Sequence, residues 1–226
     1  MSEWAKDSTA QSSHNQTFVD LGVMTPTFKI MKRSIDVAGS LIGIILLSLL
    51  FVSVAVAIKL EDPKGPVFFT QKRVGKNGQV FNMYKFRSMV SDAEERLIDL
   101  LAMNEVSGAM FKMKNDPRIT RIGKIIRKTS IDELPQLFNV LKGEMSLVGP
   151  RPPLPREVDE YTEYDKQRLL VTPGCTGLWQ VSARNSVGFD EMVELDLYYI
   201  QNQSVMFDIK IIVKTFSVLL GSKNAF

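Results

Sequence analysis

The sequence predicts an α+β chain: an N-terminal helix inserted in a membrane, re-entrant in its favoured geometry, then a mostly helical domain with one small β-hairpin. Three observations predict it. From Val37 to Ile58 run 22 consecutive uncharged residues, nearly all apolar. Two β-rich runs, Val67–Thr70 and Val80–Phe86, flank a Gly75–Gly78 turn. Beyond them, apolar residues recur at helical spacing to the end of the chain. The boundaries that follow are a flexible tail over 1–28, a membrane helix over 29–60 and a globular domain over 61–226.

The tail is polar and rich in Ser, Thr and Gln, with no sustained periodicity. The apolar run comes next. At ~1.5 Å per residue it is long enough to cover a hydrocarbon core of ~30 Å. It is too long for a signal peptide, and no small-residue cleavage site follows it. Its polar content is Ser40, Ser48 and Ser53, too little for the wet stripe of a soluble helix. Lys29, Lys32 and Arg33 precede it; Lys59, Lys64, Lys72, Arg73 and Lys76 follow. Basic residues on both flanks favour both ends on the cytoplasmic side, hence a bent helix that enters and leaves through one leaflet; a plain single span is the alternative.

After the hairpin, "SDAEERLIDLLAMNEV" places Ser91 as N-cap before an acidic first turn. In "DPRITRIGKIIRKTS", Ile119, Ile122, Ile125 and Ile126 fall on one helical face, with Arg118, Arg121, Lys124 and Lys128 on the other. Such a basic amphipathic helix suits docking at a membrane interface, or an ordinary surface helix over a core. "SVMFDIKIIVKTFSVLLGSKNAF" is again apolar and reads equally as a surface-lying or core-packed helix.

Composition narrows the chemistry. Among 226 residues, 45% are hydrophobic and 23% charged, ordinary for one folded domain. The net charge of +3 is too small to argue for nucleic acid, and none is expected as a partner. The one cysteine, Cys175, excludes an internal disulfide or a multi-cysteine metal site. The one histidine, His14, lies in the tail, which disfavours Ser–His catalysis and His-ligated zinc. Chemistry falls to carboxylates, lysines and arginines.

The densest group of these is "KTSIDELPQLFNVLKGEMSLVGPRP", Lys128 to Pro152. Leu134, Leu137, Phe138 and Leu141 mark a helix. Ser130 and Glu133 form a capping box on paper, yet Pro135 would then interrupt the helix. With Asp132 as N-cap, Pro135 falls in the first turn, where no donor is needed. Both registers put Asp132 and Glu133 at the positive end of the helix beside Arg127 and Lys128, so both carboxylates are expected to be ionised. Capping alone accounts for such a pair. It does not account for "GPRPPLP", where Gly149 and prolines 150, 152 and 153 fix the backbone around Arg151. A pre-positioned guanidinium suits a phosphate. In "YKFRSM", strand alternation puts Lys85 and Arg87 on one face, a second cation pair or a solvated edge. Each signal has a structural reading; together they describe a site of carboxylates and fixed cations for phosphate chemistry.

At this point "KRSID", "FFTQKRVGKNGQVFNMYKFRSM", "DPRITRIGKIIRKTSIDELPQLFNVLKGEMSLVGPRP" and "VTPGCTGLWQVSARN…ELDLYYIQNQSVMFDIKII" resemble the bacterial sugar transferase family, the membrane phosphoglycosyl transferases, over about residues 29 to 220. The chain looks like a small monotopic form. The resemblance implies a two-step reaction that initiates exopolysaccharide, capsule or glycoconjugate synthesis. A UDP-sugar, with galactose and glucose common among relatives, gives its sugar-1-phosphate to the enzyme and releases UMP; undecaprenyl phosphate then accepts it. It implies Asp132 as nucleophile, Glu133 as partner carboxylate, Mg²⁺ at Asp132, and phosphate-binding cations at Lys85, Arg127 and Arg151. Gln180 and Arg184 are implied contacts at the substrate mouth. The resemblance further implies the bacterial cell membrane, with the catalytic domain on the cytoplasmic face; a homodimer stays open beside a monomer. Relatives with a re-entrant helix often carry Ser-Pro at its middle. Here Ser48-Leu49 stands there, so a bend would fall to Ser48, Gly39 or Gly43.

Rival readings lack their motifs. No D-x-D of a direct glycosyltransferase and no G-x-x-x-x-G-K-[ST] loop occurs. A non-catalytic, membrane-anchored scaffold of a polysaccharide assembly complex is the alternative from another class.

Overall fold

The structure is a computed structural model that describes residues 25–100, 113, 116–182 and 188–221. The tail up to residue 24, most of the stretch after Leu100 and the segment holding Arg184 lie outside the described residues. Mixed helix and strand agree with the α+β expectation. The chain forms two compact units, the described parts of Met1–Ile45, Thr70–Met83 and Gln136–Lys223, and of Leu46–Phe69, Tyr84–Pro135 and Asn224–Phe226.

The first helix, Pro26–Leu46, begins where Thr25 accepts a hydrogen bond from the Phe28 amide and Pro26 supplies a pre-set φ. A second helix, Ser48–Glu61, follows after Leu47. No single helix among the described residues is long and apolar enough to cross a membrane, but these two pass that test together, bent by 60°. Leu47 leaves the helical region with ψ 7°, next to Ser48. Gly39 and Gly43 have another use. A Cβ at either would stand 2.7 Å from Leu147 Cδ1 or 3.1 Å from Leu137 Cδ1, so they permit close packing rather than bending.

Within the first unit, "KRSID" is a set of anchors. The Lys32 ammonium donates to Asp208 Oδ2 at 2.6 Å and to the Val148 carbonyl at 2.9 Å. Arg33 donates to the carbonyls of Val140 and Leu141 at 2.6 and 2.8 Å, in the last turn of the Gln136–Lys142 helix. Gly143 closes that helix at φ +85°, a left-handed position suited to glycine. Buried Asp36 accepts from the Ser146 hydroxyl and the Leu147 amide at 3.0 and 2.9 Å. Lys32 and Arg33 are therefore committed to protein partners, which removes two of the free juxtamembrane charges on which a same-side topology rests.

The same unit is organised by a parallel pair, β3 (Ser146–Val148) and β4 (Gly174–Thr176), in register at Ser146–Gly174 and Val148–Thr176. The helices Leu178–Ser182, Phe189–Gln201 and Val205–Gly221 bury Leu178, Val181, Val193, Tyr199 and Ile211 against Val148. The last helix is two-sided: Phe207 and Ile211 are buried, whereas Met206, Ile209, Val213 and Phe216 are exposed.

The expected hairpin is present as β1 (Phe68–Val74) and β2 (Val80–Phe86), joined across the Lys76–Gly78 turn. Asn77, at φ 54°, takes the left-handed turn position that its short polar side chain tolerates.

In the second unit, Val54, Ile58, Phe86 and Ile126 form a core with Leu50, Phe51 and Ile122 packed on it. The amphipathic helix runs over Arg121–Lys128, and its N-cap Thr120 accepts from the Gly123 amide at 2.8 Å. Two assignments to its faces change. Ile125 is 59% exposed, because Ile122 and Ile126 fill the face that meets the core. Arg118 is buried, since Asp116 pairs with it at 2.6 Å. The helix after the hairpin begins at Ala93 rather than directly after Ser91, whose amide instead donates to Asp62 at 3.0 Å.

Candidate active site

Asp132 and Glu133 lie in a single 3₁₀ turn, Ile131–Glu133, not at the cap of an α-helix. Ser130 enters it at φ 55° and its side chain caps nothing, so the capping box does not form. Pro135 stands just ahead of the Gln136–Lys142 helix, where its missing N–H costs no bond. The turn thus separates the two carboxylates from routine capping. Asp132 is 9% exposed. No side chain among the described residues hydrogen-bonds its carboxylate. Glu133 is half-exposed, and its Oε1 accepts from the Lys85 ammonium at 2.8 Å.

Charge around Asp132 comes from three groups of the same unit. Burial pushes its carboxyl up; Lys85 pulls it down, Glu133 pushes it up and Arg127 pulls it down, leaving it at about 6. The sequence expectation had the opposite sign. Flanking cations are visible in the sequence, whereas desolvation of Asp132 depends on the fold. At neutral pH the group remains mostly ionised, yet more basic than an ordinary aspartate.

Lys85, Arg127, Asp132 and Glu133 are thus brought together. Arg87 is not part of this group. It is buried, donates to the Asp62 carbonyl at 2.6 Å and pairs with the Asp62 carboxylate at 3.3 Å. Arg151 and Gln180 belong to the first unit. The loop around Arg151 is held on both sides. The Gly174 amide donates to the Pro150 carbonyl at 2.8 Å, Arg73 to the Pro152 carbonyl at 3.0 Å and the Val74 amide to the Pro153 carbonyl at 2.9 Å. Pro152 and Pro153 are buried while Arg151 is exposed. Its guanidinium carbon lies 5.9 Å from the centre of the Trp179 ring, a cation–π contact. Sequence reasoning passed over Trp179; an indole one residue before Gln180 in "PGCTGLWQVSARN" was the available signal. Gln180 donates weakly to the Cys175 carbonyl at 3.4 Å.

No cluster of three or more His, Cys, Asp and Glu side chains occurs among the described residues, so no all-protein metal cage is formed there. Mg²⁺ does not need one: it commonly takes one or two carboxylates, with substrate phosphates and water completing its shell. A buried carboxylate whose pKa stands high despite two nearby cations has anionic charge left to stabilise, and Asp132 fits as such a ligand.

The family model "Bacterial sugar transferase" matches residues 27–222, and the chain belongs to that family. It is 49% identical over 218 residues to "Galactosyl transferase CpsE" of Streptococcus agalactiae serotype III, covering 93% of this chain and 48% of that protein. It is 45% identical over 202 residues to "Undecaprenyl-phosphate galactose phosphotransferase" of Salmonella typhimurium, covering 88% of this chain and 42% of that protein. "Exopolysaccharide production protein ExoY" of Rhizobium meliloti is 38% identical over 225 residues, covering 97% of this chain and 99% of that protein. The chain thus spans about half the length of the first two relatives and nearly all of the third.

Proposed function

We propose that this protein transfers a sugar-1-phosphate from a UDP-sugar to undecaprenyl phosphate through a covalent intermediate on Asp132, releasing UMP. The observation that carries the reading is the buried Asp132 carboxylate within the pull of the Lys85 and Arg127 charges, in a chain similar to a protein named "Undecaprenyl-phosphate galactose phosphotransferase".

An ionised Asp132 oxygen attacks the phosphorus that bears the sugar. The bond from that phosphorus to the bridging oxygen breaks, and UMP leaves with the electron pair. The aspartyl phosphosugar is an acyl phosphate, reactive enough to be passed on. A phosphate oxygen of undecaprenyl phosphate attacks the same phosphorus, the Asp132 carboxylate departs, and a polyprenyl-diphosphate sugar forms. Lys85 and Arg127 offset the charge that gathers on the phosphoryl oxygens, which is most of what such a transfer requires. Glu133, held by Lys85, orients that ammonium and assists the acceptor. Asp132 would hold Mg²⁺, which would supply further charge neutralisation. Arg151 serves as a phosphate clamp, its loop fixed before substrate arrives; Gln180 and Arg184 are substrate contacts. These steps place the protein at the initiation of exopolysaccharide or glycoconjugate synthesis.

A lipid acceptor needs a site at a bilayer. The bent apolar helix pair and the exposed Met206, Ile209, Val213 and Phe216 support attachment to the bacterial cell membrane. We propose that the catalytic residues lie on the cytoplasmic face, which follows from the cytoplasmic UDP-sugar donor. The reading is tested by incubating the purified protein with undecaprenyl phosphate, Mg²⁺ and a panel beginning with UDP-galactose and UDP-glucose. UMP release with at least one donor is the expected result. Silence across the panel would instead favour a non-catalytic scaffold.

A further inference from the structure

Two adjacent carboxylates at the end of the Ser48–Glu61 helix reach the two elements that bring positive charge to Asp132. The Glu61 carboxylate accepts from the amides of Arg121 and Ile122 at 2.7 and 3.0 Å, the first two residues of the Arg121–Lys128 helix. The Thr120 side chain takes the Gly123 amide and the Ser88 carbonyl takes the Thr120 amide, so all four orphan donors of that helix are satisfied. Two of the four are satisfied by a residue about sixty positions away in sequence, not by the local N-cap. The contact is continued by apolar packing, with Ile122 and Ile126 against Leu50, Val54 and Ile58. The far end of the same helix carries Arg127, and the left-handed Ser130 turn leads from it into the Asp132 turn.

Asp62 does the equivalent for β2. It pairs with Arg87 and accepts from the Ser91 amide, fixing the chain that emerges from the strand holding Lys85. Phe86, between Lys85 and Arg87, packs on Phe51 of the same N-terminal helix with ring centres 5.3 Å apart. Gly123 allows a further close approach, between the Arg121–Lys128 helix and the chain that follows β2: a Cβ there would stand 1.9 Å from the Ser88 carbonyl oxygen. An ordinary surface cap explains one such bond. It does not explain a helix end that grips both cation-bearing elements.

We propose that Glu61 is a positioning residue that sets Arg127 beside Asp132, so that the end of the membrane-associated helix is part of the catalytic scaffold. The inference rests on the reading of Asp132 as the nucleophile. Its site of action is one step removed from the reacting atoms: Glu61 touches backbone amides, and Arg127 acts on the phosphoryl group. Burial raises the Glu61 carboxyl, but the Ile122 and Arg121 amides outweigh it and hold the group below its ordinary value, so it is ionised when it caps.

The test is a double-mutant cycle in donor-only UMP release, using the full chain in detergent micelles. Glu61→Ala is expected to lower the rate about tenfold, the size of loss a small displacement of a charged group produces. Glu61→Gln, which keeps one acceptor oxygen, falls between. In the Arg127→Ala background, Glu61→Ala costs nothing further, because the residue through which it acts is gone. A loss of equal size in both backgrounds would show general loosening and overturn the proposal, as would a wild-type rate in Glu61→Ala. Should Glu61→Ala fail to fold, the isosteric Glu61→Gln carries the same cycle with the same criteria. Absence of UMP from the wild-type protein would count against the Asp132 reading itself, which separates the two failures.

Discussion

Replacing Asp132 by asparagine is expected to abolish UMP release and, in the same protein, to raise the unfolding midpoint. The activity loss follows from removing the attacking oxygen's charge, and losses of about 10³-fold or more are usual when a covalent nucleophile is disabled. The stability gain follows from the environment of Asp132. Its carboxyl is raised from the ordinary value of 3.8 to about 6, chiefly by burial. The folded state therefore binds the proton more tightly than the unfolded chain does. Ionising Asp132 costs stability in proportion: the cost is absent below the unfolded value of about 4, grows as pH rises, and is complete above about 6. A rise of that size corresponds to about 3 kcal/mol at most, an effect expected in metal-free protein. Asparagine has the same shape and no charge to desolvate. The variant should melt higher than wild type at pH 7.5 and match it near pH 4. A dead variant that melts lower at both pH values would mean that Asp132 is structural.

The second large effect falls on Arg168. Its side chain and that of Asp196 are each 2% exposed, and they pair at 2.7 Å. Arg168 Nε also donates to Asp196 at 2.8 Å, and Nη1 donates to the Tyr161 hydroxyl at 2.7 Å. Burial raises the Asp196 carboxyl and Arg168 pulls it back. Arg168→Ala leaves that carboxylate without its counter-charge, which should cost about 3–5 kcal/mol. With the carboxyl pushed still higher, the deficit is largest at neutral pH and shrinks on acidification, as Asp196 takes up its proton. The double substitution Arg168→Met/Asp196→Leu should recover most of the loss, since paired apolar replacements often match a buried ion pair. Urea unfolding of the three proteins at pH 5 and pH 8 checks both statements. The Arg151 loop acts on the same group: Arg151 adds its own pull on Asp196.

How much is legible in the sequence depends on the range of the forces involved. The apolar run, the hairpin turn and the helical faces report local physics, and the structure has a hairpin and helices where these patterns stand. The Asp132–Glu133 pair and the proline-bracketed Arg151 are also visible, because unusual residue types occur at close spacing. Long-range partners are not. Lys32 and Arg33 resemble juxtamembrane charges until Asp208, Val148 and Val140 are seen to accept their hydrogen bonds. The β3–β4 pair joins two three-residue strands too short to show a period. Leu47 carries no Pro or Gly to announce a break. Ile125 reads as buried because its neighbours are isoleucines, but the helix buries Ile126, half-buries Ile122 and leaves Ile125 outside. The direction in which the Asp132 carboxyl moves escapes the sequence for the same reason: nearby charge can be read from a string of residues, burial cannot.

Mass spectrometry of the protein after incubation with donor and Mg²⁺, in the absence of lipid acceptor, tests the central claim most directly. A mass increase equal to one phosphosugar, located on the peptide that contains Asp132 and discharged by undecaprenyl phosphate, is the predicted result. Steady production of lipid-linked sugar with that peptide never modified, or modified at another side chain, would contradict it.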